Sequence, residues 1–434
     1  MKKKTNIFWF RRDLRLDDNV GFYKALHGKY PVIPLFIFDL EILSELPEDD
    51  ARVTFIFETL QKMRNELQEH GSSLAMYYGK PEEVFKKIIS EYDVQNVMTN
   101  RDYEPYALRR DEAVEKMLSN KNIGFHTFKD QVIFEKDEVV KDNGDPYIVY
   151  TPYMKSWKAR HKKNYDGKIY HTSRFLKNLY QNTRLPNLSL GDICFKKSKI
   201  EIPEYDATPT MIQQYENRRN FPADNGTSHL GPHLRFGTVS IRKMMKKATS
   251  EKNEVFWQEL IWREFFMQIL WHFPKTVDTA FKKKYDRISW RNNEAEFKKW
   301  KAGKTGYPLV DAGMRQLNDT GYMHNRARMV VASFLCKHLL IDWRWGEAYF
   351  AEKLLDYEMS SNVGNWQWAA GSGVDAAPYF RIFNPATQQQ KFDKDYTYIK
   401  RYVSEFGTLS YPKKMVDHKE ARERCLKAYK EAIS

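Results

Sequence analysis

The first 130 residues alternate between short apolar runs and longer stretches in which apolar residues recur with helical spacing. The short runs are rich in β-branched and aromatic residues, as buried strands are. The predicted strands are Ile7–Phe10, Val32–Phe38, Leu74–Tyr78, Val94–Thr99 and Phe125–Phe128. The predicted helices between them are Val53–Glu69, Glu82–Glu91 and Tyr106–Leu118. Strands that alternate with helices in this way indicate an α/β domain built on a parallel sheet.

No glycine-rich phosphate-binding motif follows the first predicted strand. The chain continues as Arg11-Arg12-Asp13-Leu14-Arg15, which matches neither G-x-G-x-x-G nor G-x-x-x-x-G-K-[ST]. Those motifs let backbone N–H groups approach a phosphate closely. Their absence argues against an ordinary dinucleotide-binding or P-loop domain.

Strand patterns nearly vanish in the second half of the chain. Residues 131–205 are mixed in character and rich in Lys, Tyr, Asn and Pro, which predicts a connector that packs over the surface. Long helical patterns follow at Val255–Trp271, Val310–Asn318 and Arg326–Leu340. We therefore predict an α/β domain over residues 1–130, a connector over 131–205 and an all-α domain over 206–434.

The chain is basic and rich in aromatic residues. It has 71 Lys and Arg against 57 Asp and Glu, a formal charge of +14, which indicates either a nucleic-acid partner or a solubilising surface. Aromatic residues make up 15%, and nine of the eleven tryptophans lie at or after Trp257. Because tryptophan oxidises easily and stacks on flat rings, this cluster indicates redox chemistry, base stacking or an aromatic core.

Cysteine and histidine spacings do not favour a metal site. Cys194, Cys336 and Cys425 are far apart, which argues for a reducing compartment and against a disulfide framework. His229 and His233 form an H-x-x-x-H pair that lacks the Glu of the zinc motif and contains Gly-Pro. No apolar run reaches the roughly 18 residues of a membrane helix. We expect a cytoplasmic, prokaryote-like protein with no metal.

Four segments of the helical half carry candidate chemistry. In Gly226–Leu234, hydroxyl residues and glycine precede a helix whose N–H groups could hold phosphate, with an ordinary N-cap as the alternative. Glu259, Trp262 and Arg263 share one helical face, on which they could hydrogen-bond a base, stack on it and bind a phosphate. The alternative is an ordinary i,i+4 ion pair between Glu259 and Arg263 beside a core tryptophan.

The other two segments place polar side chains where a helical core is expected. Asn325, Arg328 and Met329 fall on one helical face. Leu355–Asn362 and Asn365–Trp368 mix Asp, Asn and two tryptophans. Buried polar groups need partners, so these stretches are poor choices for plain packing and indicate a ligand site.

Together these segments resemble the photolyase/cryptochrome family over nearly the whole chain. The opening Trp9–Asn19 is similar to the start of the family's antenna domain, and the segments Thr305–Arg315, Tyr322–Met329, Leu355–Asn362 and Pro378–Pro385 are similar to its FAD-domain signatures. The resemblance implies a Rossmann-like antenna domain followed by an all-α FAD-binding catalytic domain. The implied activity is light-dependent repair of cyclobutane pyrimidine dimers in DNA, in which an electron passes from excited FADH⁻ to a flipped-out dimer.

The resemblance also implies roles for particular residues. The implied FAD-binding residues are Tyr215, Thr227, Ser228, His229, Leu230, Gly231, Arg328, Asp356, Tyr357, Glu358 and Asn362. Among them, Asp356 and Arg328 are implied to form a pair beside the flavin. The implied substrate and DNA-binding residues are Arg219, Glu259, Trp262, Arg263, Asn325, Arg326, Met329, Trp368, Arg381 and Gln388. The implied electron-transfer chain to the flavin is Trp366, Trp343 and Trp290. Glu358 departs from several relatives, which carry Asp.

Within the family, Asn362, Met329 and Trp366-Gln367-Trp368 resemble class I dimer photolyases. The alternatives are a cryptochrome-type photoreceptor, a (6-4) photolyase and a flavin-free nucleic-acid-binding protein. The family's folate site looks altered at Pro105-Tyr106-Ala107, so the presence and identity of a second, antenna chromophore stay open. We expect a monomer that acts on UV-damaged DNA and does not associate with membranes.

Overall fold

A computed structural model describes residues 2–434, and their contacts form two compact units. The first unit takes in residues up to 135 together with 161–205 and 229–247. The second comprises residues 136–160, 206–228 and 248–434. The units interleave along the chain and do not coincide with the consecutive regions predicted, because the predicted connector contributes to both and residues 229–247 pack in the first unit.

The first unit is built on a five-stranded parallel sheet in the order β3-β2-β1-β4-β5. Its strands are β1 (Lys4–Phe10), β2 (Val32–Asp39), β3 (Ala75–Gly79), β4 (Asp93–Asn100) and β5 (Gly124–Phe128). The helices between them are α1 (Val20–Leu26), α2 (Leu40–Leu43), α3 (Ala51–Glu69), α4 (Pro81–Glu91) and α5 (Pro105–Ser119). The predicted strands and helices are confirmed, and α1 and α2 are additions.

Alternation along the strands divides the apolar core between the two faces of the sheet. Phe8 and Phe10 pack into one cluster and Ile7 and Trp9 into another. Both faces are covered, so the strands read as continuous apolar runs, as parallel strands do. β2 and β3 are added on one side of β1, whereas β4 and β5 are added on its other side, so the strand order reverses between β1 and β4. In open parallel sheets, ligand crevices lie at the carboxyl ends beside such a reversal.

The rest of the chain is helical. The helices are α6 (Tyr150–Asn164), α7 (Pro209–Arg218), α8 (Leu230–Arg235), α9 (Ile241–Thr249), α10 (Val255–His272), α11 (Glu294–Lys301), α12 (Pro308–Thr320), α13 (Asn325–Ser333), α14 (Trp343–Lys353), α15 (Met359–Ala370), α16 (Pro385–Phe392), α17 (Thr397–Tyr402) and α18 (His418–Ile433). Short 3₁₀ helices cover Lys136–Glu138, Ser173–Asn178, Gly191–Ile193, Pro274–Val277 and Lys283–Arg287, and a π-helical turn covers Phe334–His338.

Packing within the second unit centres on α12 to α15, whose buried side chains form one apolar cluster. The predicted helices at 255–271, 310–318 and 326–340 are confirmed as α10, α12 and α13 with its π-helical turn. α10 is buried along most of its length, because apolar residues surround its axis instead of forming one stripe. Among residues 2–434, no helix is both long and apolar enough to cross a membrane.

Candidate functional site

A cavity lies within the second unit, between α13, α14 and α15. Its lining comprises Asn325, Arg328, Met329, Ala332, Phe350, Leu354, Asp356, Tyr357, Glu358, Ser361, Asn362, Asn365, Trp366, Trp368 and Ala369. The two polar stretches singled out in the sequence therefore meet around a single space.

Local helix structure explains how the two stretches present their side chains. α13 starts at Asn325, and the His324 ring caps it by accepting a hydrogen bond from the Arg326 N–H. Asn325, Arg328 and Met329 line the cavity from that helix, so their predicted common face is confirmed. On α15, Asn362 and Trp366 are one helical turn apart and both line the cavity.

A guanidinium–carboxylate pair forms the charged part of the cavity wall. Arg328 Nη1 and Nη2 donate to the two carboxylate oxygens of Asp356 at 3.1 and 2.9 Å, and Arg328 Nε donates to the backbone oxygen of Met323 at 2.7 Å. Burial opposes the charge on Arg328, but the Asp356 carboxylate outweighs it and raises the pKa of the guanidinium. The predicted pairing of these residues is therefore present as a bidentate contact.

The amide of Asn362 is oriented by Glu347, a residue that sequence reasoning missed. Asn362 Nδ2 donates to the backbone oxygen of Glu347 at 3.1 Å and to its Oε1 at 2.8 Å. Burial raises the pKa of Glu347, although the hydrogen bond from Asn362 acts in the opposite direction. Because both amide hydrogens point at Glu347, Oδ1 is the polar atom that Asn362 can offer to a ligand.

Glu358 and Arg263 connect the cavity to α10. Glu358 is buried and lines the cavity, and its Oε2 lies 3.9 Å from Arg263 Nη2. The Arg263 side chain is only 13% exposed. The structure thus places Arg263, which the sequence assigned to DNA, beside a cavity-lining carboxylate.

Of the other residues assigned to the substrate and DNA, Asn325, Met329 and Trp368 line this cavity. The remaining ones lie in the second unit outside its lining; they are Arg219, Glu259, Trp262, Arg326, Arg381 and Gln388. Arg219 forms an ion pair with Glu259. Arg326 Nη2 donates to Asn220 Oδ1 at 2.7 Å, and its guanidinium lies 4.1 Å from the ring centroid of Phe392.

Three more of these assignments differ in exposure. Arg381 is exposed, Gln388 is half-buried, and Trp262 is half-buried and stacked on Tyr150. Their proposed contacts with DNA stay predictions.

The tryptophans assigned to electron transfer differ in their surroundings. Trp366 is 2% exposed, and within the described residues its ring contacts are Phe350, at 4.9 Å between centroids, and Trp300, at 6.2 Å. Trp343 is also buried, and the partly buried Trp290 meets the ring of Tyr429 edge-on at 6.0 Å. The order Trp366, Trp343, Trp290 stays a prediction.

Trp300 is the tryptophan that sequence reasoning overlooked. It is fully buried and its Nε1 donates to the backbone oxygen of Val331 at 3.1 Å. The signal was present in α11, where Phe297 and Trp300 form an i,i+3 aromatic face on an otherwise charged helix.

The residues assigned to the FAD diphosphate are divided along the chain between the two units. Thr227 and Ser228 belong to the second unit, where the Thr227 hydroxyl lies 3.4 Å from the Tyr322 hydroxyl. Burial raises the pKa of Tyr215, which also belongs to the second unit. His229, Leu230 and Gly231 belong to the first unit, and α8 begins at Leu230 as expected but has only six residues.

Among residues 2–434, no group of three or more His, Cys, Asp or Glu side chains could hold a metal ion. The histidine pair noted in the sequence is engaged elsewhere. Both ring nitrogens of His233 are hydrogen-bonded, Nδ1 with the Thr238 hydroxyl at 3.0 Å and Nε2 with the Pro203 carbonyl at 2.9 Å. His233 is therefore held as part of the first unit.

A second cavity lies within the first unit at the carboxyl ends of β1, β2 and β4. Its lining comprises Trp9, Arg11, Arg12, Phe36, Ile37, Phe38, Asp39, Ile42, Leu43, Val53, Ile56, Asp102, Glu104, Tyr106, Ala107, Arg110, Arg235 and Phe236. This is the crevice expected where the strand order reverses. The altered Tyr106-Ala107 stretch lines it, and Tyr106 donates to Asp39 Oδ2 at 2.7 Å.

Arginines and carboxylates balance each other around this second cavity. The guanidiniums of Arg11 and Arg110 lie 5.0 and 4.9 Å from the ring centroid of Trp9. Burial would raise the pKa of Asp102, but Arg12 and the neighbouring arginines outweigh it and lower that pKa. The walls are otherwise apolar, so the cavity suits a flat ring system with a few polar groups.

Known proteins identify both units. Residues 6–170 match the family model for DNA photolyase, and residues 256–410 match the model for the FAD-binding domain of DNA photolyase. The deoxyribodipyrimidine photolyase of Agrobacterium fabrum is 35% identical over 99% of this chain and 98% of its own. The chain belongs to the DNA photolyase family.

Solved structures agree with this assignment. A bacterial class III photolyase from Agrobacterium tumefaciens has a TM-score of 0.89 and 35% identity, covering 100% of this chain and 98% of its own. An archaeal photolyase from Sulfolobus tokodaii, solved with two FAD molecules, has a TM-score of 0.85 and 34% identity, covering 98% of this chain and 100% of its own. Because one of these structures is a class III enzyme, membership of class I stays a prediction.

Proposed function

We propose that this chain is a deoxyribodipyrimidine photolyase, a carbon–carbon lyase that repairs cyclobutane pyrimidine dimers in DNA under blue light. One observation carries the proposal. The cavity of the second unit gathers residues from two distant stretches that the sequence assigned to FAD and the dimer, and a buried Arg328–Asp356 pair forms part of its wall. The Agrobacterium fabrum relative of nearly equal length is a deoxyribodipyrimidine photolyase.

The residues present fit FAD. A flavin ring system has apolar faces and a polar edge, and the cavity combines indole and aliphatic walls with a guanidinium, a carboxylate and the Asn362 amide. Arg328 uses three of its five N–H groups on Asp356 and Met323, so two remain that could donate to the polar edge of the flavin. Arg328, Asp356, Tyr357, Glu358 and Asn362 would hold the ring, and the segment Tyr215 with Thr227–Gly231 would hold the diphosphate.

The bound cofactor would supply one light-driven electron to the dimer and take it back after the cyclobutane ring has opened. The protein's own residues prepare the site. Asn362, with its amide hydrogens held by Glu347, presents Oδ1 as an acceptor without offering a proton. Trp366 and Trp368 contribute apolar indole rings to the cavity wall. Trp366, Trp343 and Trp290 would carry electrons to the cofactor when it is oxidised.

The dimer must leave the duplex, because photolyases are among the enzymes that act on an extruded nucleotide. We infer that Trp262 and Trp368 stack on it and that Glu259, Asn325 and Met329 contact its edges. Arg219, Arg263, Arg326, Arg381 and Gln388 would contact the DNA strand around it. The net charge of +14 supports a polyanionic substrate.

The cavity of the first unit is the proposed site of a second, light-collecting chromophore. Its place at the carboxyl ends of the strands and its apolar walls with paired arginines support a flat heteroaromatic ring. The Sulfolobus tokodaii structure contains two FAD molecules, which supports a flavin as the first compound to test. We further infer that the protein works as a cytoplasmic monomer.

A repair assay tests the proposal. The purified protein, reduced and loaded with FAD, is incubated with an oligonucleotide that contains one thymine cyclobutane dimer, in blue light and in the dark. Repair in light alone is expected, with no repair of a matched (6-4) photoproduct. Binding without repair in light would contradict the proposal and favour a photoreceptor, and repair of the (6-4) substrate would change the lesion class.

A further inference from the structure

Tyr150, the first residue of α6, lies flat against the indole of Trp262. The ring centroids are 3.5 Å apart and the planes are inclined by only 8°. The Tyr150 hydroxyl donates to the backbone oxygen of Gln258 at 2.7 Å, one helical turn before Trp262 on α10. The Tyr150 backbone N–H donates to Asp375 Oδ2 at 3.2 Å. Hydrogen bonds therefore hold both the hydroxyl and the backbone of Tyr150 in place.

The other aromatic neighbours of Trp262 leave its indole little freedom. Phe265 meets it edge-on, at 5.6 Å and 83°, and Phe266 lies at 5.6 Å and 28°. Tyr150 is 6% exposed, whereas Trp262 is half-buried. One indole face is thus closed by Tyr150, and a ligand can reach only the surface that remains.

The Tyr150 stack leaves no space for a base between the two rings. The two rings are already at the distance of a direct stack, 3.5 Å between centroids. A base inserted between them would need a similar distance to each ring, so Tyr150 would have to move away. Tyr150 is tied to Gln258 and Asp375 and is more deeply buried than Trp262. A base must therefore approach Trp262 from the side away from Tyr150.

We infer that Tyr150 is a positioning residue for lesion recognition: it closes one face of Trp262 and fixes the indole plane against which the dimer stacks. The inference rests on the proposed function, since it requires Trp262 to contact the dimer. A fixed plane matters because a mobile indole would have to be immobilised when the dimer binds. Ordering one such side chain weakens binding by about 2- to 10-fold.

The chain offers a matched control one turn further along α6. Tyr153 is 1% exposed, and its ring packs on Phe265 at 5.2 Å and on Tyr147 at 6.3 Å. A change at Tyr153 thus removes a tyrosine ring from the same helix and the same interface with α10, but it spares the stack on Trp262.

The experiment measures binding of the FAD-loaded protein, in the dark, to a dimer-containing duplex and to the same duplex undamaged. Tyr150→Leu is expected to weaken binding of the dimer duplex by about 2- to 10-fold, with unchanged affinity for undamaged DNA and unchanged FAD content. Tyr150→Phe, which keeps the ring, should restore the wild-type ratio of the two affinities. Tyr153→Leu should lower the melting temperature and leave that ratio unchanged.

Each remaining outcome decides the matter. A wild-type affinity ratio in Tyr150→Leu would overturn the inference, and so would a ratio lowered equally by Tyr153→Leu. Tighter binding of undamaged DNA by Tyr150→Leu would show that Tyr150 only covers Trp262, which also overturns it. If Tyr150→Leu does not fold, Tyr150→Met provides the same test with a longer side chain. A wild-type protein that does not prefer the dimer would refute the proposed function instead.

Discussion

Gly346 is the position at which a single methyl group should disturb the proposed cofactor site most directly. It lies in α14 against the buried indole of Trp366, which lines the cavity. A Cβ atom at Gly346 would be 2.1 Å from Trp366 Cη2, 2.4 Å from Cζ3 and 2.6 Å from Leu335 Cδ2. Ordinary contacts of a Cβ atom begin at about 3.4 Å, so in Gly346→Ala the indole must retreat by roughly 1 Å or more.

Two opposing terms set the cost of Gly346→Ala. Alanine in place of glycine favours the helix by about 1 kcal/mol. Overpacking a dense core costs about 1–3 kcal/mol, and here three atoms clash instead of one. The difference is a net loss of up to about 2 kcal/mol of stability, and the three clashes favour the upper end of that range. We expect the larger effect on the cofactor, because the indole that must move lines the cavity.

The measurements are the ratio of bound FAD to protein after purification and the melting temperature with and without added FAD. Gly346→Ala should purify with less FAD and gain less stability from added FAD than the wild-type protein. The control is the double variant Gly346→Ala/Trp366→Phe, whose smaller ring leaves room for the methyl group. The two changes should be strongly non-additive, with the double variant regaining FAD relative to Gly346→Ala alone.

Two results would refute this reasoning. Wild-type FAD content and melting temperature in Gly346→Ala would mean that Trp366 is not held against α14 as described. Equal losses in the single and double variants would mean that the methyl group acts on the backbone of α14 and not through the indole of Trp366.

Four further predictions follow from the site. Trp366→Phe should nearly abolish light-driven reduction of oxidised FAD but should keep repair activity after chemical reduction with dithionite. Loss of both photoreduction and repair would give Trp366 a structural or lesion-site role. Arg326→Ala or Arg381→Ala should weaken binding to damaged and undamaged DNA alike and should reduce by about one unit the slope of the logarithm of the binding constant against the logarithm of the salt concentration. Weaker binding of damaged DNA alone would contradict a contact with phosphate. Asn362→Asp should lower repair and shift illuminated flavin away from the fully reduced form, since a second negative charge would lie near FADH⁻; unchanged repair would contradict this. Burial lowers the pKa of Lys337 to about 8 from 10.5, so the folded protein loses this proton at a lower pH than the unfolded chain does, and the free energy of unfolding rises between those two pH values. The melting temperature of Lys337→Met should lack that rise. Parallel plots of melting temperature against pH for the variant and the wild-type protein would contradict this.

The sheet of the first unit could be predicted from the chain because its signal is local. Runs such as Val32–Phe38 are apolar throughout, as strands buried on both faces are, and the helices between them show their own periodicity. The short helix α1 escaped prediction, because its seven residues are fewer than a periodic pattern needs to stand out. The interleaving of the two units also escaped it, since local patterns do not reveal which distant segment a loop packs on.

At the site, the sequence predicted the residue types that line the cavity but not the contacts between them. Arg328 and Asp356 were paired through the family resemblance, and their bidentate contact is present. Glu347, which orients Asn362, looks in the sequence like any exposed glutamate of a charged helix. Trp300 and Tyr150 were overlooked for a related reason: their partners lie 66 and 112 residues away, at Trp366 and Trp262.

Taken by itself, the amino-acid sequence determined the kind of each element, the helical faces that carry polar residues and, through long ordered motifs, the family. Such information is local, because side-chain periodicity and backbone preference act within a few residues. Only the tertiary structure decided that α13 and α15 enclose one cavity, that Arg263 lies beside Glu358, and that Tyr150 covers Trp262. Those contacts depend on how apolar faces interlock across the fold, and an apolar pattern identifies a buried face without identifying the surface that buries it.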